Sequence, residues 1–280
     1  MLTTVEAYSS WRDAMLLPIS PQGIERDLLH IRDVQGLGPV KANVNTTPLG
    51  SMDGESYTGS LVPKRNIVLT IGLNPDWDVW SMEELRGLLD LYFMPKQPTR
   101  LIFRRDDKPD AEIYGIVEGL EPNIFSKDVE VQVSIICPDP DFVAVNPTII
   151  TGIAQASATP VEVEYNGSLK TGFTLNVTYQ SGASPTSVVV QLGDPIENHF
   201  QVAAPITSTK YFAMCSRPGN KYVQNVELGT GVITNLLSAV TIKQGSEWPM
   251  LEPGTNEFLV DTDVGIQDWE LSFSEKFGGL

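Results

Sequence analysis

Apolar and polar or small residues alternate along Lys64-Arg65-Asn66-Ile67-Val68-Leu69-Thr70-Ile71-Gly72-Leu73, the two-residue period of a half-buried strand. Thr99 to Arg105, Ala111 to Leu120 and Lys127 to Ile136 read the same way. In the last of these Val129, Val131, Val133 and Ile135 share one face, and Glu130, Gln132 and Ser134 the other. The turn residues Asp106-Asp107-Lys108-Pro109-Asp110 predict that the second and third of these strands pair as a hairpin. The period changes once. Met82, Leu85, Leu88, Leu89, Tyr92 and Phe93 recur at steps of three and four, and Pro95 closes the run, predicting an α-helix over 82–94 that covers one face of the sheet. Ser81 followed by Glu84 has the spacing of a capping box, and Trp80 with Leu85 that of a hydrophobic staple.

Beyond residue 143 only strand-like text remains. Thr171 to Gln180, Ser187 to Leu192, Phe200 to Ala204, Tyr211 to Cys215, Tyr222 to Leu228, Ala239 to Lys243, Phe258 to Asp261 and Trp269 to Phe273 are separated by Gly, Pro and Asn, a spacing that predicts a β-sandwich. Between the halves, Cys137-Pro138-Asp139-Pro140-Asp141-Phe142 reads as a strand end and a connector. The expected domains are therefore 1–143 and 144–280, and the expected class is mostly β with one covering helix. Residues 41–60, polar and rich in Gly, lack a core pattern and read as a projecting hairpin or binding loop.

Length agrees, since 280 residues exceed what one core ordinarily serves. Hydrophobic residues make up 41% and charged residues 19% of the chain, which is the composition of a folded protein. The formal charge of −16 argues against a surface whose task is to neutralise phosphate, so no direct nucleic-acid binding is expected. It is shared evenly: 13 basic and 21 acidic residues precede position 141, and 6 and 14 follow position 140. No apolar run approaches the roughly 20 residues of a membrane span, and residues 1–20 lack a signal-peptide core, so folding in the cytoplasm without membrane insertion is expected.

Candidate chemistry is sparse. Cys137 and Cys215 cannot build a disulfide framework, and with His30 and His199 they make too few ligands for zinc. No phosphate-binding glycine motif or nucleophile elbow occurs, so no catalytic, cofactor-binding or metal residue is assigned and no cofactor is expected. Glu247, Glu252, Glu257, Asp261, Asp263, Asp268 and Glu270 form the densest acidic stretch. Asp261-Thr262-Asp263 opens like a calcium loop, but Ile266 and Ser272 stand where its Gly and Glu belong, which favours a solvated acidic face. Trp248, Tyr222 and Trp269 would serve as sugar-stacking platforms if exposed, and as core otherwise.

The order of these segments is familiar. The polar loop, Lys64 to Leu69, Trp80 with Met82-Glu83-Glu84-Leu85-Arg86, Leu101-Ile102-Phe103, Tyr114 to Glu118 and Val131 to Phe142 together resemble the amino-terminal domain of the distal tail proteins of long-tailed, non-contractile phages. Leu251-Glu252-Pro253-Gly254-Thr255-Asn256 is similar to the family's Leu-x-Pro-Gly-x-Asn signature, and Phe273 to Leu280 to its aromatic, basic, Gly, Leu ending. The resemblance runs from about residue 31 onward, except for 144–220. It implies a structural, non-enzymatic virion protein of the tail tip and baseplate, assembled in the host cytoplasm. Its amino-terminal domain would form a ring with itself, usually of six copies, joining the tail tube protein to the tip hub protein. Its carboxy-terminal domain would be a galectin-like β-sandwich that also meets receptor-binding or fibre proteins. Two alternatives remain open: a carbohydrate-binding module serving host attachment, and a wall-degrading glycosidase with two carboxylates facing each other across a cleft.

Overall fold

The structure is a computed structural model, and it describes all residues except 10–11, 20–27, 51–52, 77, 124–128, 194–198 and 243–246. Lys127 and Lys243, at the ends of two expected strands, lie outside the described residues. Among those described, ten strands and one helix precede residue 145: β1 (Leu2–Ser9), β2 (Met15–Pro18), β3 (Leu29–Gln35), β4 (Asn43–Pro48), β5 (Glu55–Leu61), β6 (Arg65–Leu73), α1 (Met82–Tyr92), β7 (Pro98–Arg105), β8 (Ala111–Asn123), β9 (Glu130–Cys137) and β10 (Phe142–Ala144). The rest of the chain adds β11 (Thr148–Gln155), β12 (Val161–Tyr165), β13 (Phe173–Ser181), β14 (Ser187–Leu192), β15 (His199–Ala203), β16 (Lys210–Cys215), β17 (Tyr222–Glu227), β18 (Ile233–Asn235), β19 (Val240–Ile242), β20 (Gly254–Thr262), β21 (Ile266–Phe273) and β22 (Lys276–Phe277).

Two compact units result, Met1–Val145 with Phe277–Leu280, and Asn146–Lys276. In the first, antiparallel neighbours run β2-β1-β7-β8-β9-β6-β3, and β10 joins β8. The path curls until a parallel bridge between Ile19 and Ile31 ties its two ends. The expected alternation fills its interior: Ile67, Leu69, Ile71, Val131, Val133 and Ile135 are all buried. Helix α1 closes that interior with Leu85, Leu89 and Phe93, which share one core cluster with Val5, Leu69, Phe103 and Val133. Its capping box is complete, because Glu84 N donates to Ser81 Oγ at 3.3 Å and Ser81 N donates to Glu84 Oε2 at 2.8 Å. The helix stops at Tyr92, one turn's fraction before the expected end, with Phe93 as C-cap donating its N–H to Leu89 O.

The second unit is two layers linked by one parallel bridge, Gln155 to Asp261. One layer is β18-β17-β16-β13-β21-β11; the other is β15 between β14 and β19, with β20 and β12 beyond β14. Inward residues of both layers, among them Phe173, Val177, Val190, Phe200, Phe212, Phe258, Trp269 and Phe273, make one core cluster, which is the arrangement of a β-sandwich. T-shaped ring contacts tie Phe173 to Phe258 and Phe258 to Trp269, with centroids 5.5 Å apart in each pair.

Strands β1 to β3, β10 to β12, β18 and β22 were not expected from the sequence. β11 shows why: its isoleucines Ile149 and Ile153 are 57% and 55% exposed while Ala154 is buried, so its apolar period points away from the core. The expected connector after Pro138 holds β10, and the chain returns to the first unit at Phe277. A four-residue return carries no periodicity by which sequence could announce it.

Candidate functional site

The signature segments are built around backbone groups. Arg65, 2% exposed, spends its whole guanidinium on carbonyls: Nε donates to Pro140 O at 2.7 Å, Nη1 to Gly36 O at 2.5 Å and Gly38 O at 2.6 Å, and Nη2 to Gly278 O at 2.6 Å. Its plane lies 4.4 Å from the centroid of the Phe142 ring. Burial depresses its pKa, the carbonyl cage taking the place of water. Gly36 holds φ at +88°, and a Cβ there would stand 2.1 Å from Asn66 O, so the strand can approach only as glycine. The terminal segment closes the cage. Arg105 lies over Phe277, with Cζ 5.2 Å from the centroid, and Leu280 N donates to Leu37 O at 2.9 Å. A Cβ at Gly279 would meet Pro39 at 2.9 Å. The Leu-x-Pro-Gly-x-Asn segment is likewise a closed turn. Asn256 accepts from Glu252 N at 2.9 Å and donates to Glu252 O at 2.8 Å and Gly254 O at 3.0 Å. Gly254 has φ +102°, and Leu251 anchors the turn in the core.

The polar segment 41–60 is the hairpin β4–β5, a two-stranded sheet of its own. Every described residue of β4 is exposed, and in β5 only Gly59 is less than exposed. Val44, Tyr57, Leu61 and Val62 are 59%, 63%, 73% and 54% exposed. Open strand edges therefore lie on this hairpin, while the main sheet of the first unit ties its ends together. An isolated two-stranded hairpin is marginally stable in water, so this one is suited to ordering against a second surface.

The chain has the fold of the phage SPP1 Dit protein. That crystal structure, described as a paradigm of the hub adsorption apparatus of phages infecting Gram-positive bacteria, superposes at a TM-score of 0.65 with 16% identity, over 89% of this chain and 94% of SPP1 Dit. Chains of the phage P2 baseplate are similar at lower scores. In the calcium-activated conformation the TM-score is 0.47 with 9% identity over 100% of both chains, and in the strontium-activated conformation 0.44 with 9% over 97% and 98%. No family model and no curated protein sequence matches the chain.

Within this Dit-like fold, the cations of β7 are spoken for. Arg104 binds Glu6 through Nε at 2.9 Å and Asp110 through Nη1 at 2.5 Å, and Arg100 binds Glu112 through Nε at 2.7 Å while lying over the Tyr8 ring. Hydrogen bonding from Arg104 holds the Glu6 carboxyl below the ordinary range despite its burial. Arg105 also donates to Pro109 O. The basic stretch is a structural ladder rather than an open patch.

The aromatics weighed as sugar platforms differ in burial. Trp269 is 2% exposed in the sandwich core; Trp248 is half-buried, its ring centroid 5.4 Å from that of Phe200, and Tyr222 is half-buried on β17. The acidic stretch is likewise divided. Burial opposes ionisation of Asp263, but hydrogen bonds from Thr186 N and Oγ1 and from Ser187 N outweigh it and lower its pKa, so this carboxylate closes a turn. Among the described residues no group of three potential metal ligands converges. Both cysteines are buried thiols, and burial pushes Cys137 up to about 11. His30 is buried at the end of β6's partner strand and His199 meets Gln191 Nε2 through Nδ1 at 2.8 Å. Sequence reasoning missed the Arg65 cage, because a lone Arg opening a strand looks like any strand flank.

Proposed function

We propose that this chain is a structural, non-enzymatic ring-forming adaptor of a phage tail tip, joining the tail tube to the baseplate hub. The supporting observation is the fold shared with SPP1 Dit over 89% of the chain. Residues 1–143 would supply the ring-forming domain, usually of six copies, with the exposed hairpin β4–β5 laid on the neighbouring copy. A heterologous contact of this kind uses different surfaces on the two partners, and closes into a ring when its rotation divides the circle. Residues 144–280 would supply a galectin-like sandwich that meets other tail proteins. The chain's charge of −16 fits a ring surrounding nucleic acid without holding it.

The test is a copy count. Electron micrographs of tails carrying a labelled version of this chain are expected to show a closed ring of label at the tip. A single copy per tail would end the proposal. Purified protein in which 43–61 is replaced by a short Gly-Ser turn is expected to keep its melting behaviour and lose self-association. The carbohydrate reading loses Trp269, which lies in the sandwich core, and retains only the half-buried Trp248 and Tyr222. The glycosidase reading needs opposed carboxylates, whereas Asp268 and Glu270, both lining a surface groove, lie side by side on β21.

A further inference from the structure

The outer face of the six-stranded layer carries a groove of about 560 Å³ that the adaptor reading does not use. Its floor follows from strand register. Glu270 sits between Thr151 of β11 and Asn176 of β13, and Asn176 faces Ala213 of β16. One row along, Asp268 sits between Ile153 and Thr178. Tyr211 and Leu228 form the wall opposite Ile153, and both Ile153 and Leu228 are 55% exposed. Two carboxylates thus occupy a shallow trough with apolar walls. On other strands some carboxylates meet cations, Glu6 with Arg104, Glu112 with Arg100 and Glu227 with Lys210, and others meet hydroxyls, Glu118 with Ser134 and Glu164 with Thr255. Among the described residues no cation pairs with Asp268 or Glu270; the Asp268 carboxylate accepts from the Gln180 amide at 3.0 Å, and its carbonyl from Thr178 Oγ1 at 3.4 Å.

We propose that this groove binds an extended Lys-x-Lys segment of another protein. Spacing and composition both select it. Asp268 and Glu270 stand one two-residue strand repeat apart, about 6.5–7 Å, which is also the repeat of alternate side chains in an extended peptide. Two lysines of such a segment, running along β21, reach the two carboxylates together. Each lysine stem is apolar and lies along Ile153, Tyr211 and Leu228, while its ammonium meets a carboxylate. Asn176, Thr151 and Thr178 supply side-chain hydrogen bonds to the peptide backbone. A second copy of this chain is a poor occupant, since its net charge is of the same sign.

The experiment records amide chemical shifts of the full chain titrated with the capped peptide acetyl-Ser-Lys-Ser-Lys-Ser-amide, at low and at physiological salt. Saturable shifts confined to β11, β21, β13 and β16 are expected, weakening as salt rises. The double variant Asp268→Asn with Glu270→Gln, at exposed positions, is expected to melt as the parent and bind at least ten-fold more weakly. Acetyl-Ser-Glu-Ser-Glu-Ser-amide is expected to leave these amides unmoved. Shifts scattered over the acidic surface, an affinity unchanged in the double variant, or no saturable shift at all would overturn the proposal. So would a chito-oligosaccharide that moves these amides when the lysine peptide does not. None of these results depends on ring formation, which the copy count tests separately.

Discussion

Arg65 is itself buried and satisfies four carbonyls in part-buried bonds, so truncating it removes a large buried side chain and leaves four acceptors without their partner at once. Each unsatisfied buried polar group costs about 1–3 kcal/mol, and Arg65→Ala is expected to destabilise the first unit by about 3 kcal/mol or more. Arg65→Lys keeps the charge but not the planar fork, and is expected to recover only part of that loss. Denaturant melts of both variants check this. Glu6 makes a second residue-scale prediction. Its folded pKa lies below its unfolded value, so its contribution is present above the unfolded pKa, near 4.5, and is lost as pH falls through the folded one. The Glu6→Gln variant is expected to be less stable than the parent at neutral pH, and the gap is expected to narrow below about pH 4. A stability series from pH 2.5 to pH 7 would show it, and a constant gap would mean Arg104 contributes nothing through charge.

Among the elements, α1 is the one whose start, cap and buried face the sequence and the structure place alike. The capping box, the apolar face and the acidic first turn all name the same segment, and tertiary packing puts Leu85 and Leu89 at 1% and 0% exposure. Leu89→Ala is expected to cost about 2–5 kcal/mol as the cavity it leaves fails to collapse, and Ser81→Ala about 1 kcal/mol through loss of the cap. Parent-like melting of Leu89→Ala would mean that the helix face is not held in this core. The hairpin β4–β5 behaves in the opposite sense. Its exposed Tyr57 and Leu61 contribute little to the free chain, so Tyr57→Asp with Leu61→Asp is expected to change stability by no more than about 0.5 kcal/mol. Analytical ultracentrifugation of that variant is expected to show self-association lost while the melt is preserved.

For the whole molecule, net charge and pairing act together. Arg100, Arg104, Arg105 and Lys108 are the phosphate ligands the sequence would group; the three arginines already have carboxylate or carbonyl partners, and Lys108 is exposed. No salt-sensitive complex with duplex DNA is expected at physiological salt, because counterion release needs cations that are free to approach. A micromolar complex whose affinity falls steeply with salt would show that the ladder opens. Deleting 277–280 is expected to lower the melting of the first unit, since Gly278 O and Leu280 N each close a bond within it. The segment 146–276, whose core is its own, is expected to melt unchanged.

The strand alternation of 64–73 and 111–120, the capped helix and the lack of a core face in 41–60 were legible because each is a local pattern: period, cap and absence of a core face are properties of consecutive residues. The strands before residue 30 and β11 were not, because their half-polar text acquires a face only from the strand beside it. Trp269 illustrates the limit, since an aromatic at strand spacing suits a binding platform or a core, and only the packing of β11 and β13 beside it decided for the core. The groove has the same origin. Asp268 and Glu270 were visible as part of an acidic run, but their company of Thr151, Ile153, Asn176 and Tyr211 comes from three other strands, far from β21 in the chain and joined by register. The sequence by itself determined the mostly β class, the capped helix after Ser81, the coreless polar segment 41–60 and the negative charge, all of which are local or additive. The tertiary structure alone decided which carboxylates stand unpaired, where Arg65 finds its carbonyls and which unit the final residues join, since each of these depends on contacts between residues far apart in the chain.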